Sequence, residues 1–310
     1  DVTSQVTDNS KIQFGSVQGK VRTWATYKKI WLEAFDNGGS GSGGTEETPD
    51  MGSRKFDVKF VNDQSKVSDY KEDGHATFIP YASVDDMKSD ANYDKPWLTP
   101  EKAMTMNLNG TWKFKFVPGT SRGPAETNFY PADYDDSDWD DIRVPLSWEM
   151  AGFGTPVYVN VGYAFVNNPP YTNQGITSYG VVDNNATGFY RRSFTLPENW
   201  GDKRVFIHFD GVYSAAAVFV IGNYVCYSQG SNNDAEFDIT DFVKTGDNQL
   251  SVRVYRWCDG SYFEGQDIWH LSGIHRDVYL VATPKVWASD HYIKASLNND
   301  ATSGSLNVAL

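Results

Sequence analysis

From residue 108 onward the sequence consists mainly of short runs of β-branched and aromatic residues separated by turn-forming residues. Such runs favour pleated, half-buried strands, and the turn residues supply tight connections. The clearest are GTWKFKFV, GFYRRSFTL, RVFIHFDGV, AAAVFVIGNYVCYS, AEFDITDFV and QLSVRVYRW. Because no amphipathic helices intervene, the pattern predicts an all-β fold, an antiparallel sandwich of the jelly-roll kind.

Charge and motifs exclude several classes of protein. The formal net charge of −13 argues against a nucleic-acid partner, because phosphate binding needs clustered Lys and Arg. No run of about 18 apolar residues exists to span a membrane, so we expect no membrane partner either. The sequence contains no P-loop and no HExxH. A neutral small-molecule ligand is easier to reconcile with this composition.

The chain divides at a Gly/Ser tract, GGSGSGGTEETPD, at residues 38–50. Its composition is that of a flexible linker, so residues 1–37 are interpreted as the tail of a preceding β-rich segment. Residues 51–107 show weak periodicity and predict a lead-in arm with one short helix after Ser83. Residues 108–284 form the predicted sandwich. Because residues 285–310 indicate a strand, a turn and part of a second strand, we expect a fragment of a longer chain.

Cys226 and Cys258 lie in apolar strand-like runs, without the spacing of a disulfide framework or a metal site. We expect both to be buried free thiols. The chain opens on Asp1 and shows no signal peptide, so its cellular compartment stays open. A secreted or periplasmic bacterial enzyme is a guess from the acidic surface and the linker.

Two carboxylates three positions apart occur in FEGQDIWHLSG, residues 263–273. Glu264 and Asp267 are open to three interpretations: an acid–base pair, a sugar ligand beside a structural residue, or two solvated loop charges. Glycosidase carboxyls lie about 5 Å apart in retaining enzymes and about 6.5 to 9.5 Å apart in inverting ones, on opposite sides of the scissile bond. Two residues of one short loop would hardly flank a sugar that way.

Several long segments resemble the amino-terminal part of β-galactosidases of glycoside hydrolase family 2. The matching text is GHATFIPYAS, LNGTWKFKF, VPLSWEMAGFGTPVYVNVGYAFVNNPPY, GFYRRSFTLPENW, IHFDGVYSAAAVFVIG, SQGSNNDAEFDIT and VYRWCDGSYFEGQDIWHLSGIHRDVYL. These segments follow the family's order and cover about residues 75–284.

The resemblance implies a galactose-binding-like jelly roll, followed by an immunoglobulin-like sandwich whose truncated start is residues 285–310. A (β/α)₈ barrel with both catalytic glutamates comes next in the family, outside this chain. It implies that the whole enzyme is a retaining exo-β-galactosidase that removes terminal β-linked galactose. This chain would pack against its own barrel, carry no catalytic residue and be inactive alone.

The resemblance also assigns site residues. Asp267 corresponds to a family aspartate that contacts galactose and a sodium ion. Asn160, in YVNVGY, corresponds to an asparagine lining the same subsite, and Val161 beside it would touch the sugar edge. An ionised carboxylate suits both tasks, since it accepts hydrogen bonds from hydroxyls and offers oxygen to a hard cation.

Other residues receive weaker assignments. Gln229 and Asp259 match positions that can join a magnesium shell in some members, so magnesium is an expectation for the whole enzyme only. His270 is interpreted as a packed loop histidine and Trp269 as a core ring. The loop at 171–188 is long enough to shape a cleft. Ile221 stands in a turn where the family commonly has Asn.

A stand-alone carbohydrate-binding module without hydrolytic activity is the alternative, because the same architecture serves lectin-like proteins. A third interpretation is a purely structural interface domain with a large exposed apolar patch. Galactose, rather than glucuronate or mannose, rests on the resemblance alone.

Overall fold

The computed structural model describes residues 53–95, 98–119, 128–172, 185–264 and 267–310, together with the backbone of 11–14. The predicted linker at 38–50, and all of the predicted tail except 11–14, lie outside the described residues. The described chain forms two compact units, one of residues 53–73 and 104–285, the other of 74–103 and 286–310 with 11–14. The domain boundaries expected from the sequence stay predictions.

In chain order the strands are β1 (Lys11–Phe14), β2 (Ser68–Asp69), β3 (Thr105–Asn107), β4 (Gly110–Val117), β5 (Asp140–Val144), β6 (Val157–Val159), β7 (Thr187–Leu196), β8 (Arg204–Phe209), β9 (Val212–Tyr213), β10 (Ala215–Val220), β11 (Asn223–Gln229), β12 (Ala235–Asp238), β13 (Gly246–Tyr255), β14 (Ile268–His270), β15 (Gly273–Ile274), β16 (Val278–Thr283), β17 (Tyr292–Leu297) and β18 (Gly304–Ala309). The helices are α1 (Val84–Ser89) and the 3₁₀ turns η1 (Val58–Asn62), η2 (Trp148–Ala151), η3 (Glu198–Trp200), η4 (Thr240–Phe242) and η5 (Asp259–Tyr262).

The larger unit is an antiparallel β-sandwich. Among the described residues, one sheet has seven strands in the order β2-β11-β10-β13-β7-β4-β5, and the other has four in the order β12-β8-β16-β3. Their facing sides bury one apolar cluster that includes Trp112, Ile207, Val218, Val252 and Leu280. The predicted antiparallel all-β sandwich is therefore confirmed, and each quoted run contains a strand.

The seven-stranded sheet also buries its other face. A second cluster includes Phe219 and Tyr227 from this sheet, Val61 from the lead-in arm, and Phe129 and Trp139 from the segment before β5. The strands of this sheet consequently have apolar residues on both faces, as β10 shows with every residue buried.

The smaller unit contains α1 and a three-stranded antiparallel sheet in the order β1-β18-β17. The Ser83 side chain caps α1 by accepting a 3.0 Å hydrogen bond from the backbone N–H of Asp86. The helix predicted after Ser83 is confirmed. Asp290 accepts a 2.8 Å hydrogen bond from the backbone N–H of Ala76 and so links the two segments of this unit.

Two further expectations concern the cysteines and the membrane. Cys226 and Cys258 are both free and buried, as predicted. No helix within the described part of the chain has the length and apolar character needed to cross a bilayer.

Candidate functional site

The strands β6 and β14 form a short antiparallel pair that brings two distant parts of the sequence together. Val159 lies opposite Ile268, Tyr158 opposite Trp269 and Val157 opposite His270. If this register is extended by one position, it sets Asn160 opposite Asp267. The two polar residues assigned from the sequence therefore stand at the same end of one strand pair, although about a hundred residues separate them.

Asp267 has a left-handed backbone conformation, with φ 57°. Asp tolerates this conformation better than most residues, because its short polar side chain can bond locally. The side chain is exposed, and Oδ1 accepts a hydrogen bond from the Tyr158 hydroxyl. A hydroxyl on β6 thus orients the carboxylate at the start of β14.

Val157 and Val159 point inward, where they join a small apolar cluster with Phe165, Tyr213 and Trp257. The intervening Tyr158 points outward, and its ring centroid lies 5.6 Å from that of Trp269. The core position predicted for Trp269 is wrong, because 59% of this residue is exposed. The cross-strand register places its ring on the same face as Tyr158, which is also exposed.

Asn160 and Val161 follow β6 and are also exposed, Val161 to 76%. With Tyr158 and Trp269 they form an open face of mixed polar and apolar character, next to the Asp267 carboxylate. Such a face can donate and accept hydrogen bonds and can also offer ring surfaces to an apolar partner.

A buried carboxylate anchors the segment behind this face. Glu149, in η2, accepts a 2.7 Å hydrogen bond from the backbone N–H of Ser272. Its other oxygen lies 3.7 Å from the guanidinium of Arg256, which donates a 2.6 Å hydrogen bond to the Thr155 carbonyl. Burial raises the pKa of the Glu149 carboxyl, while the bond from Ser272 and the charge of Arg256 oppose this shift.

Glycine is required just after Ser272. Gly273 has a φ of 106°, and a Cβ built there would lie 2.7 Å from the Tyr190 hydroxyl oxygen. The chain beyond β14 therefore passes close to the core, and a side chain at this position would push it outward.

His270 is the buried end of β14. Its Nδ1 is 2.8 Å from the Tyr213 hydroxyl, and its ring packs edge-on against Trp257 at a centroid distance of 5.3 Å. Burial, and then the charge of Arg256, lower the pKa of this imidazole. The expectation of a packed histidine is confirmed, although it lies on a strand rather than in a loop.

Glu264 has a separate structural role. Its carboxylate accepts hydrogen bonds from the Ser231 backbone N–H at 2.9 Å and from the Ser231 hydroxyl at 2.5 Å. The side chain therefore ties η5 to the turn between β11 and β12, whereas Asp267 bonds to β6. The two carboxylates serve different neighbours, which argues against an acid–base pair.

Comparison with known proteins decides the family. Residues 105–284 match the model of glycosyl hydrolases family 2, sugar binding domain. The chain belongs to glycoside hydrolase family 2. The match covers both strands of the β6–β14 pair, together with Asn160 and Asp267.

The family 2 relatives are long proteins. The chain is 38% identical over 240 residues to a β-galactosidase of Priestia megaterium, covering 76% of this chain and 22% of that protein. It is 42% identical over 201 residues to a β-galactosidase of Psychromonas ingrahamii, covering 65% and 18%. The chain thus spans only about a fifth of the length of these curated relatives. A Bacteroides uniformis β-glucuronidase structure matches at a TM-score of 0.43 with 25% identity, over 61% of this chain and 18% of that one.

The sodium site expected from the sequence stays a prediction. No group of three or more His, Cys, Asp or Glu side chains suited to an ion occurs among the described residues. Asp267 and Asn160 can supply oxygen ligands of the kind hard cations take, but a complete coordination shell needs more donors. Asp267 and Asn160 could therefore supply some of the ligands of a sodium ion, and other residues would have to supply the rest.

Gln229 and Asp259 satisfy each other. The Gln229 amide donates hydrogen bonds of 2.7 Å to Asp259 Oδ1 and 3.0 Å to the Tyr227 hydroxyl. Both residues are buried, and burial raises the pKa of the Asp259 carboxyl. This pair needs no ion to balance its hydrogen bonds, and magnesium stays a prediction.

One predicted loop lies largely outside the described residues, and two residues near the site were not predicted from the sequence. Most of the loop at 171–188, residues 173–184, lies outside the described residues. Tyr158 and Glu149, which orient and anchor the site, were missed. The alternation Val-Tyr-Val at 157–159 was the available signal for an outward Tyr158, whereas no local pattern marks Glu149 as buried.

Proposed function

We propose that this chain is the sugar-binding amino-terminal part of a retaining exo-β-galactosidase, in which Asp267 and Asn160 line the galactose subsite. The observation that supports the proposal is the β6–β14 register, because Asn160 follows and Asp267 precedes the paired residues Val159 and Ile268. Val161 extends the same edge.

The chemistry suits a hydroxyl-rich ligand. The Asp267 carboxylate accepts hydrogen bonds from sugar hydroxyls, and the Asn160 amide both donates and accepts them. Because the Tyr158 hydroxyl already orients Asp267, less ordering is needed when the sugar binds. When bound, a sodium ion would share the carboxylate and add fixed positive charge beside the sugar oxygens.

The bond-breaking groups lie elsewhere in this proposal. A general acid and a nucleophile, both glutamates, reside in a (β/α)₈ barrel outside this chain, and hydrolysis proceeds through a covalent glycosyl intermediate. The exposed Tyr158, Val161 and Trp269 would pack near that barrel, because large apolar groups beside a site gain from being covered. The 310-residue chain alone is then inactive.

The choice of galactoside is supported by the curated relatives, which are named β-galactosidases. To test it, the full-length enzyme is assayed on matched β-galactosides, β-glucuronides and β-mannosides. Asp267→Ala is expected to lower kcat/KM on the β-galactoside by about 100-fold or more, since an interaction with the sugar is lost in the transition state. Asp300→Ala, at an exposed aspartate of the β17–β18 turn, is the control. Near-normal turnover by Asp267→Ala would contradict the assignment of Asp267 to the galactose subsite.

Calorimetry on the isolated 310-residue chain separates this proposal from a stand-alone binding module. The proposal expects no saturable galactose isotherm that depends on Asp267 at millimolar concentration, because half a pocket leaves one face of the sugar in water. A saturable isotherm that Asp267→Ala abolishes would favour the module instead.

A further inference from the structure

A cleft of about 770 Å³ lies in the larger unit, and its lining residues are distant from Asp267 in the sequence. One wall is the end of η1 and the turn after it, with Lys59, Asn62, Asp63 and Gln64, and the other is Pro170 and Tyr171. Its volume falls in the range of about 300–1,000 Å³ typical of small-molecule sites.

The lining combines one aromatic ring with planar polar groups. Tyr171 is 47% exposed, so its ring can stack on the C–H face of a sugar ring. The Asn62 and Gln64 amides on the facing wall each carry donors and an acceptor, which suits hydroxyl groups that do both. The charges of Lys59 and Asp63 offset each other, so the cleft favours a neutral ligand over an anionic one.

Much of this hydrogen-bonding capacity is unused. Within the described chain, no hydrogen bond engages the Gln64 amide, the Lys59 ammonium group or the Tyr171 hydroxyl. A ligand could engage these groups without breaking a hydrogen bond to any other described residue.

The first wall is held rigidly. Asp57 caps η1 by accepting a 2.9 Å hydrogen bond from the Lys59 backbone N–H. Asp63 closes the following turn by accepting from the Ser65 N–H at 3.0 Å and from its hydroxyl at 2.7 Å. Val61 between them is buried in the second apolar cluster and fixes η1 to the sheet.

The second wall is also fixed, and it is joined to the first. The Tyr262 hydroxyl donates to the Tyr171 carbonyl at 2.9 Å and accepts from the Asn168 N–H at 2.9 Å. The Thr172 backbone N–H donates to Asn62 Oδ1 at 3.3 Å and so links the two walls. A preorganised cleft loses little conformational entropy when a ligand binds.

We infer that this cleft is a second saccharide-binding site, which takes a neutral oligosaccharide through stacking on Tyr171 and hydrogen bonds to the 59–64 wall. The inference goes beyond the proposed galactose subsite and uses none of its residues. Asn160 and Tyr171 both lie in the connection between β6 and β7.

The test is a titration of the ¹⁵N-labelled 310-residue chain with β-1,4-galactotriose, followed by amide chemical shifts. We expect saturable amide shifts at 59–65 and 170–172, with a Kd in the millimolar range. Tyr171→Ala should weaken binding about 5- to 10-fold, because the stacking surface is lost. Tyr292→Ala, at an exposed tyrosine of β17, is the matched control and should leave the Kd unchanged.

Two results would overturn the inference: absence of saturable shifts at both walls, or equal Kd values for Tyr171→Ala and Tyr292→Ala. The Asp267→Ala chain keeps the two proposals apart. Its cleft shifts should match those of the unchanged protein, and their loss would contradict an independent site. Failure of the galactose proposal would instead be seen in hydrolysis by the full-length enzyme.

Discussion

The Tyr158 hydroxyl donates a hydrogen bond to Oδ1 of Asp267 across the β6–β14 pair. Tyr158 faces Trp269 in the register, so Asp267 is its diagonal neighbour, a position that aromatic side chains can reach. This bond to the carboxylate raises the pKa of the Tyr158 hydroxyl. The carboxylate proposed to hold galactose is therefore oriented by a residue that the sequence did not single out.

Tyr158→Phe tests that orientation in the full-length enzyme. We expect kcat/KM on a β-galactoside to fall about 3- to 10-fold, because Asp267 loses its donor but keeps its charge. Adding Tyr158→Phe to Asp267→Ala should cause little further loss, since the hydroxyl acts through the carboxylate. Independent, multiplying losses would contradict this relationship. Tyr292→Phe serves as the control.

Glu149→Ala tests the anchor behind the site. The change removes the acceptor of the Ser272 N–H and the counter-charge of Arg256 in a buried setting. We expect the free energy of unfolding of the 310-residue chain to fall by about 3 kcal/mol or more. Urea titration measures this, with the exposed Glu198→Ala expected to stay within about 0.5 kcal/mol of the unchanged chain. Equal effects of the two substitutions would show that Glu149 anchors nothing.

The two-residue turn between β10 and β11 offers a stabilising substitution. Ile221 and Gly222 both have positive φ, 45° and 82°, as a type I′ hairpin turn requires. A β-branched residue is strained there, whereas Asn tolerates the conformation. We expect Ile221→Asn to raise the free energy of unfolding by about 0.5–1 kcal/mol despite losing some apolar packing.

The matched control for this turn is Val243→Asn. Val243 is also partly buried against the main core, but its φ is −102°, so Asn relieves no strain there. Thermal or urea unfolding should show a loss of about 1 kcal/mol at this position. If both substitutions destabilise the chain equally, packing outweighs backbone strain at Ile221 and the prediction fails.

Stability should fall in mild acid because two histidines are held neutral. Burial lowers the pKa of His270 and His275 below the ordinary value of 6.5, with Arg256 and Arg276 adding to the shift. At pH values between the folded-state and unfolded-state pKa of a histidine, the unfolded chain binds more protons than the folded chain. The two neutral histidines therefore contribute fully to the free energy of unfolding above pH 6.5. This contribution is lost as the pH falls through the pKa values of the folded state.

Urea titrations between pH 7.5 and 5 would measure this dependence, at most about 1.4 kcal/mol per pH unit for each histidine. The double substitution His270→Gln and His275→Gln should flatten the profile whatever its effect on the baseline. An unchanged slope in the double variant would assign the acid sensitivity to other groups.

Most of the strand content was predictable from local signals. The run GTWKFKFV coincides with β4, and Ser83 begins the helix that its capping pattern indicates. These features depend on residues within a few positions of one another, namely on side-chain alternation and on turn and capping chemistry.

The candidate site was predictable only in part. The resemblance singled out Asp267 and Asn160, but not the partners that orient and anchor the site, Tyr158 and Glu149. It also left the direction of Trp269 open, and the interpretation as a core ring was wrong. One-sided exposure of a strand depends on what covers it, and local periodicity carries no such information.

The sequence by itself determined the fold class, the strand runs and the family, because turn residues, alternation and long matching segments are written in contiguous text. Only the tertiary structure decided which residues meet. The pairing of β6 with β14, the hydrogen bond from the Ser231 N–H to Glu264 and the two walls of the cleft each join segments dozens of residues apart. Such contacts come from the packing of the whole sandwich, where burial of two apolar faces selects one register among many.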